Sequence, residues 1–190
     1  MTTNHIQMVP GVSVPIYFYT EKFFARLVLV KEKKAMVAGG AFSSIYYGEL
    51  DFQGKPLEQQ PYPDYIGKPM IFLGTELLKK TTPEEIEALV WHEEGHCVLG
   101  HIHVDNPDEV IDIVKFEMEA DQFALSKGAK KKDLQSGIKK SINVMYDTLI
   151  ELQGVSNDNI VVKVGRLVTN LIVALTPSYH RRFLSMRHYA

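Results

Sequence analysis

Residues 82–103, TPEEIEALVWHEEGHCVLGHIH, decide how the second half of this 190-residue chain is read. Thr82 is a helix-capping residue, Pro83 falls in the first turn and Glu85 stands three residues after the cap, so a helix is expected to open here and Gly100 is placed to close it. On that helix His92, Glu93 and His96 form the pattern HExxH. At about 100° per residue the two histidines lie roughly 40° apart, with Glu93 inside the same arc of roughly 100°. Two imidazoles one turn apart can share a metal ion, zinc above all, and a glutamate beside them can reach a metal-bound water without being a ligand. Glu94 lies one residue beyond the arc and is expected at the surface.

A third ligand is sought on the next helix. Asn106, Pro107, Asp108 and Glu109 repeat the start signal, and Val110, Ile113, Val114, Ala124 and Leu125 give an apolar stripe that runs to Gly128. Glu117 and Asp121 fall on that stripe. An ionised carboxylate facing a core is costly unless paired, so Glu117 is expected as the third zinc ligand and Asp121 as the carboxylate that orients a liganding imidazole through its other nitrogen. Glu119 is about 200° around the helix from Glu117 and points elsewhere. A three-histidine HExxHxxGxxH site is out of register, because Leu99 and Ile102 stand where glycine and histidine would be needed; His101 and His103 are expected to be solvated or to support the ligands.

Upstream, VPIYFYT, RLVLV, AFSSIYYGELDF and KPMIFLGT are rich in β-branched and aromatic residues and read as strands, with 21–30 also compatible with a helix leading into a strand. Downstream, Leu134, Ile138, Ile142, Met145, Leu149 and Leu152 mark a third helix ending at Gly154. The apolar run 160–175 reads as a buried helix, with a short helix after Pro177. The expectation is an α+β fold in one domain, 1–190, strand-rich over 1–80 and helical over 81–190, with a small mixed sheet packed on the HExxH helix.

Twenty-one basic against 23 acidic residues leave no basic field for nucleic acid. The single cysteine, Cys97, rules out an intrachain disulfide or a cysteine-built metal cage and is expected in the core. The first residues lack the layout of a secretory signal, and Lys163, Arg166 and Asn170 interrupt 160–175, so a cytoplasmic protein with no integral membrane span is expected.

Residues 71–101 resemble the strand, acidic helix start and HExxH helix of the gluzincin metallopeptidases, specifically the CAAX-prenyl-protease and heat-shock-membrane-protease family. The segment EMEAD, 117–121, is similar to that family's ExxxD element, and TPSYHRRF, 176–183, to its HPSxxxR element, with Arg182 matching the arginine and Thr176 standing where the family has histidine. The resemblance implies a small, soluble, zincin-like endopeptidase carrying one zinc on His92, His96 and Glu117, with Glu93 as general base and His180 or Tyr179 as the catalytic donor to the oxyanion. It further implies a peptide or protein substrate extended along the sheet edge at 69–74. Two alternatives stand beside it. A shorter similarity, confined to the two zinc helices, points to the phage-repressor-cleaving ImmA/IrrE type; a non-catalytic zinc-stabilised binding module would fill the fourth metal position with Cys97 or His101.

Overall fold

The computed structural model describes residues 5–20, 40–46, 48–49, 56–103 and 110–152. Four strands form a mixed sheet: β1 (His5–Gln7), β2 (Ile16–Tyr19), β3 (Ala41–Ile45) and β4 (Pro69–Gly74), in the order β1-β2-β4-β3. β1 runs antiparallel to β2, β2 parallel to β4, and β3 antiparallel to β4. Helices follow: α1 (Thr75–Lys80), α2 (Pro83–Val98), α3 (Val110–Ser126) and α4 (Lys131–Leu152), with a short 3-10 turn at His101–His103. The fold is α+β, with the sheet in the N-terminal half and the helices in the C-terminal half.

β4 is the central strand, and its apolar run is explained by burial on both faces. Because strand side chains alternate, Ile71 and Leu73 join Ile16 from β2 and meet Leu77, Leu89, Leu134 and Ile138 from the helices. Met70 and Phe72 project to the other face and join Tyr17, Tyr19 and Tyr46 in an aromatic layer. Phe72 lies opposite Phe42 in register, and the rings stack with centroids 4.8 Å apart.

Of the strands read from sequence, VPIYFYT, AFSSIYYGELDF and KPMIFLGT supply β2, β3 and β4. RLVLV, 160–175 and the helix expected after Pro177 lie outside the described residues. β1 and α1 were not expected. His5–Gln7 has only three residues and acquires strand geometry by pairing with β2, while α1 begins after Gly74 with no side-chain cap and is held through the fully buried Leu77.

The helix opening at Thr82 forms as its sequence predicts. Thr82 Oγ1 accepts from the Glu85 backbone N–H and the Glu85 carboxylate accepts from the Thr82 N–H, closing the capping box. Glu85 is itself buried and also receives Ser136 Oγ and Lys140 Nζ from α4, the latter at 2.7 and 2.9 Å. Beside this lock α4 approaches α2 closely: a Cβ on Gly137 would stand 2.9 Å from Leu89 Cγ and 3.0 Å from the Glu85 carbonyl. Among the described residues no helix is long and apolar enough to cross a membrane.

Burial alone would raise the Glu85 carboxyl pKa, but the hydrogen bonds from Lys140, Ser136 and the Thr82 backbone outweigh it and hold the pKa below the ordinary 4.5. With the folded value depressed, the stabilisation is fully present above the unfolded value and is lost as pH falls through the folded one. Glu85→Gln is expected to cost about 1–3 kcal/mol near neutral pH, as for a hydrogen bond to a charged group, and to flatten the loss of stability in acid. Thermal melts of wild type and variant at about pH 7 and about pH 3 check this; parallel curves at both would remove the lock from the fold's acid response.

Candidate metal centre

α2 and α3 cross where Gly95 faces Ala120 and Phe123. A Cβ on Gly95 would lie 3.1 Å from Ala120 Cα and 3.1 Å from Phe123 Cβ, so the glycine inside HEEGH is what admits this close approach. One turn earlier on α3, Glu117 is thereby brought to the two histidines.

His92 Nε2 and His96 Nε2 are 3.1 Å apart, and each stands 3.5 Å from a Glu117 carboxylate oxygen. Among the described residues these three form the group of side chains able to hold a metal ion. The two 3.5 Å distances run to different carboxylate oxygens, Oε2 toward His92 and Oε1 toward His96, so the carboxylate straddles the pair of imidazoles, and one donor atom from each residue lies within 4.8 Å of the others. The donor chemistry agrees. His92 Nδ1 is 2.9 Å from Oδ1 of Asp121, which is 1 % exposed, and a carboxylate only accepts. A neutral His92 therefore carries its proton on Nδ1, with its Nε2 lone pair facing His96 and Glu117.

Glu93 is buried and lines the same cavity of about 410 Å³ as His92, His96 and Glu117. The cavity wall is completed by Ala41, Phe42 and Ser43 of β3, by Phe116 of α3 and by Ile138, Ser141 and Ile142 of α4. Ser141 anchors β3 there, its Oγ accepting from the Ala41 N–H at 2.9 Å. Gly74 N–H to Gly40 C=O and Tyr46 N–H to Lys68 C=O mark the residues of β3's line that bond to β4. By alternation, the backbone groups of Ala41, Ser43 and Ile45 point away from β4, toward the side on which no described strand pairs with β3.

The substrate edge expected at 69–74 is thus corrected. β4 is paired on both sides, with β2 and with β3, and has no edge to offer; β3 is the edge strand beside the histidines among the described residues. Glu94 is a second correction. Instead of lying at the surface it is fully buried, accepts from both the N–H and the Oγ of Ser13 at 2.6 Å, and has Lys127 Nζ 3.5 Å from its other oxygen.

Neither side chain considered for a fourth ligand has a donor atom grouped with those of the triad. Cys97 packs into the core with Sγ 3.9 Å from the Met70 carbonyl, and burial, reinforced by the charges of Glu93 and Glu94, pushes its thiol up to about 12. His101 is engaged at both ring nitrogens: Nδ1 lies 3.1 Å from His96 Nδ1 and Nε2 lies 3.0 Å from Glu119 Oε2. Its connection to Glu119 was not legible in the sequence, where Glu119 points away from Glu117. The His103 side chain, Thr176, Tyr179, His180 and Arg182 lie outside the described residues. No family model, curated protein or solved structure matches this chain.

Gly95→Ala separates helix propensity from site geometry. Alanine gains roughly 1 kcal/mol of helix propensity, while overpacking against Ala120 and Phe123 costs about 1–3 kcal/mol unless α3 moves away. Any such movement carries Glu117 off the histidines. The variant is expected to melt close to wild type without added metal yet to bind an added divalent cation roughly tenfold more weakly, the equivalent of about 1.4 kcal/mol. Titration against a chromophoric chelator measures this, and unchanged affinity would sever the link between the helix crossing and the triad.

Proposed function

We propose that the protein is a zinc-dependent endopeptidase of the gluzincin type, with His92, His96 and Glu117 as ligands and Glu93 as general base. The observation that carries this reading is the coincidence, among the described residues, of a three-membered ligand set with a buried glutamate in one cavity. A structural zinc site fills its fourth position with protein, whereas a catalytic one keeps three ligands and an opening. Here Cys97 packs toward the Met70 carbonyl, and both His101 ring nitrogens are engaged, one by His96 Nδ1 and one by Glu119. That favours the enzyme over a zinc-stabilised binding module.

Zinc is favoured by the donors, two imidazoles and a carboxylate. Bound there, it would supply a Lewis acid that polarises a peptide carbonyl and acidifies a water. Glu93, on the same arc of α2, would take the proton of that water and hand it to the leaving nitrogen. Asp121 would keep the His92 ring in orientation through its Nδ1–H. The tail residues Tyr179 and His180 remain the proposed donors to the oxyanion, and Arg182 the counterpart of the family arginine.

A substrate peptide would pair with β3. The outward backbone groups of Ser43 lie in the cavity wall beside the histidines, so an extended chain added to this edge would run past the triad with its scissile bond in reach. Backbone pairing supplies affinity with little demand on sequence. The cavity's apolar part, Leu89, Phe116, Ile138 and Ile142, would receive a side chain next to the cleaved bond. A repressor as substrate, by the likeness to the ImmA/IrrE type, is one instance of the same chemistry.

Two variants test this. Glu93→Gln keeps the size of the side chain but removes the base; it is expected to bind one zinc per chain as wild type does and to hydrolyse a peptide library roughly 10²–10⁴-fold more slowly. Equal rates for the two proteins would end the mechanism. Ser43→Pro removes an N–H that points away from β4, a position where an edge strand tolerates proline. That variant is expected to fold, bind zinc and lose roughly tenfold in kcat/KM through one peptide hydrogen bond, about 1 kcal/mol or slightly more. Full activity in Ser43→Pro would place the substrate elsewhere.

A further inference from the structure

Glu119 and His101 take no part in the reaction outlined above, yet they are joined to it through consecutive contacts. Glu119 Oε2 lies 3.0 Å from His101 Nε2, His101 Nδ1 lies 3.1 Å from His96 Nδ1, and His96 Nε2 belongs to the metal triangle. The His101 ring is buried, 5 % exposed, and stacks on Phe116 with centroids 4.3 Å apart and planes 17° apart, so its plane is held.

The protons along this line can be placed from the chemistry of the groups. A carboxylate only accepts, so the proton between Glu119 and His101 is on His101 Nε2. A neutral imidazole protonated at Nε2 has its lone pair on Nδ1, and the proton in the contact between the two rings must then come from His96 Nδ1. His96 so protonated has its lone pair on Nε2, which faces His92 and Glu117.

The geometry points to Glu119 and His101 as positioning residues that fix the tautomer and ring orientation of His96 and so present its Nε2 to the metal. This inference rests on the metal-binding reading of the triad. It gives His96 the support that His92 receives from Asp121, with one difference: the carboxylate acts directly on His92 and through an interposed imidazole on His96. Glu119, about 200° from Glu117 on α3, reaches the site because the 3-10 turn at His101–His103 folds back over α3.

The test uses the full chain and two readouts. Nitrogen-15 spectra of the metal-free protein report histidine tautomers; zinc affinity is measured by chelator competition. Glu119 is partly exposed, so Glu119→Ala is expected to fold, to turn a His96 signal that is Nδ1-protonated in wild type into a mixture, and to weaken zinc roughly 10- to 100-fold. His101→Gln, whose amide oxygen can accept from His96 while its nitrogen donates to Glu119, is expected to retain both properties, whereas His101→Leu loses them. A His96 tautomer unmoved by Glu119→Ala overturns the inference, and so does unchanged zinc affinity in that variant. Should wild type bind no zinc, the metal reading itself fails, and the tautomer spectra still decide whether Glu119 and His101 set the state of His96.

Discussion

The candidate centre depends on how near α3 lies to α2. Glycine inside a helix is unfavourable by roughly 1 kcal/mol relative to alanine, so Gly95 weakens α2 as an isolated element. What it permits is contact at the distance of backbone atoms, with the fully buried Ala120 as the facing small residue. Gly137 does the same for α4 on another side of α2. The helix is therefore gripped on two faces, and the arc carrying His92, Glu93 and His96 is the one turned toward the cavity. A longer side chain at Gly95 would widen the crossing by moving α3, and the triad has little room for it, since the two histidine Nε2 atoms are 3.1 Å apart and each lies 3.5 Å from a Glu117 oxygen.

Buried carboxylates then fix these helices to the rest of the fold. Glu85 binds α4 through Ser136 and Lys140, Glu94 binds the turn before β2 through Ser13, and Asp121 binds the His92 imidazole. Each is almost wholly removed from water, and each would be expensive there without its partners. This explains why two adjacent glutamates in HEEGH have different surroundings. Glu94 is turned to the sheet and the Ser13 backbone, which orients α2 about its own axis; Glu93, one residue earlier, is turned to the cavity.

Local signals carried α2 well. A capping box, a proline in the first turn and the glycine at 100, whose φ is +78°, are chemistry between near neighbours and were legible without a tertiary structure. The phase of Glu117 and Asp121 was legible for a similar reason, because four residues nearly complete a helical turn. Contacts made across the chain were not. Glu94 meets Ser13 81 residues away, and nothing in HEEGH announces that partner. β4 read as an apolar strand, but its place between β2 and β3 is set by pairing, so the edge was assigned to β4 where, among the described residues, it falls to β3. Glu119 was placed on the correct side of α3 and still missed, because its link to His96 runs through the turn carrying His101.

The same proton wiring has an energetic consequence for the triad. With Asp121 holding the proton of His92 on Nδ1, and the Glu119–His101 pair doing so for His96, both Nε2 lone pairs converge across 3.1 Å and face the Glu117 carboxylate. Such a cluster has acceptors on all three corners and no proton of its own to share among them. In a partly buried setting the mutual repulsion is weakly screened, and the close helix packing around Gly95 keeps the corners from separating. A cation at the centre would convert that repulsion into attraction, so on the proposed reading the packing that brings the donors together would also favour a metal ion among them.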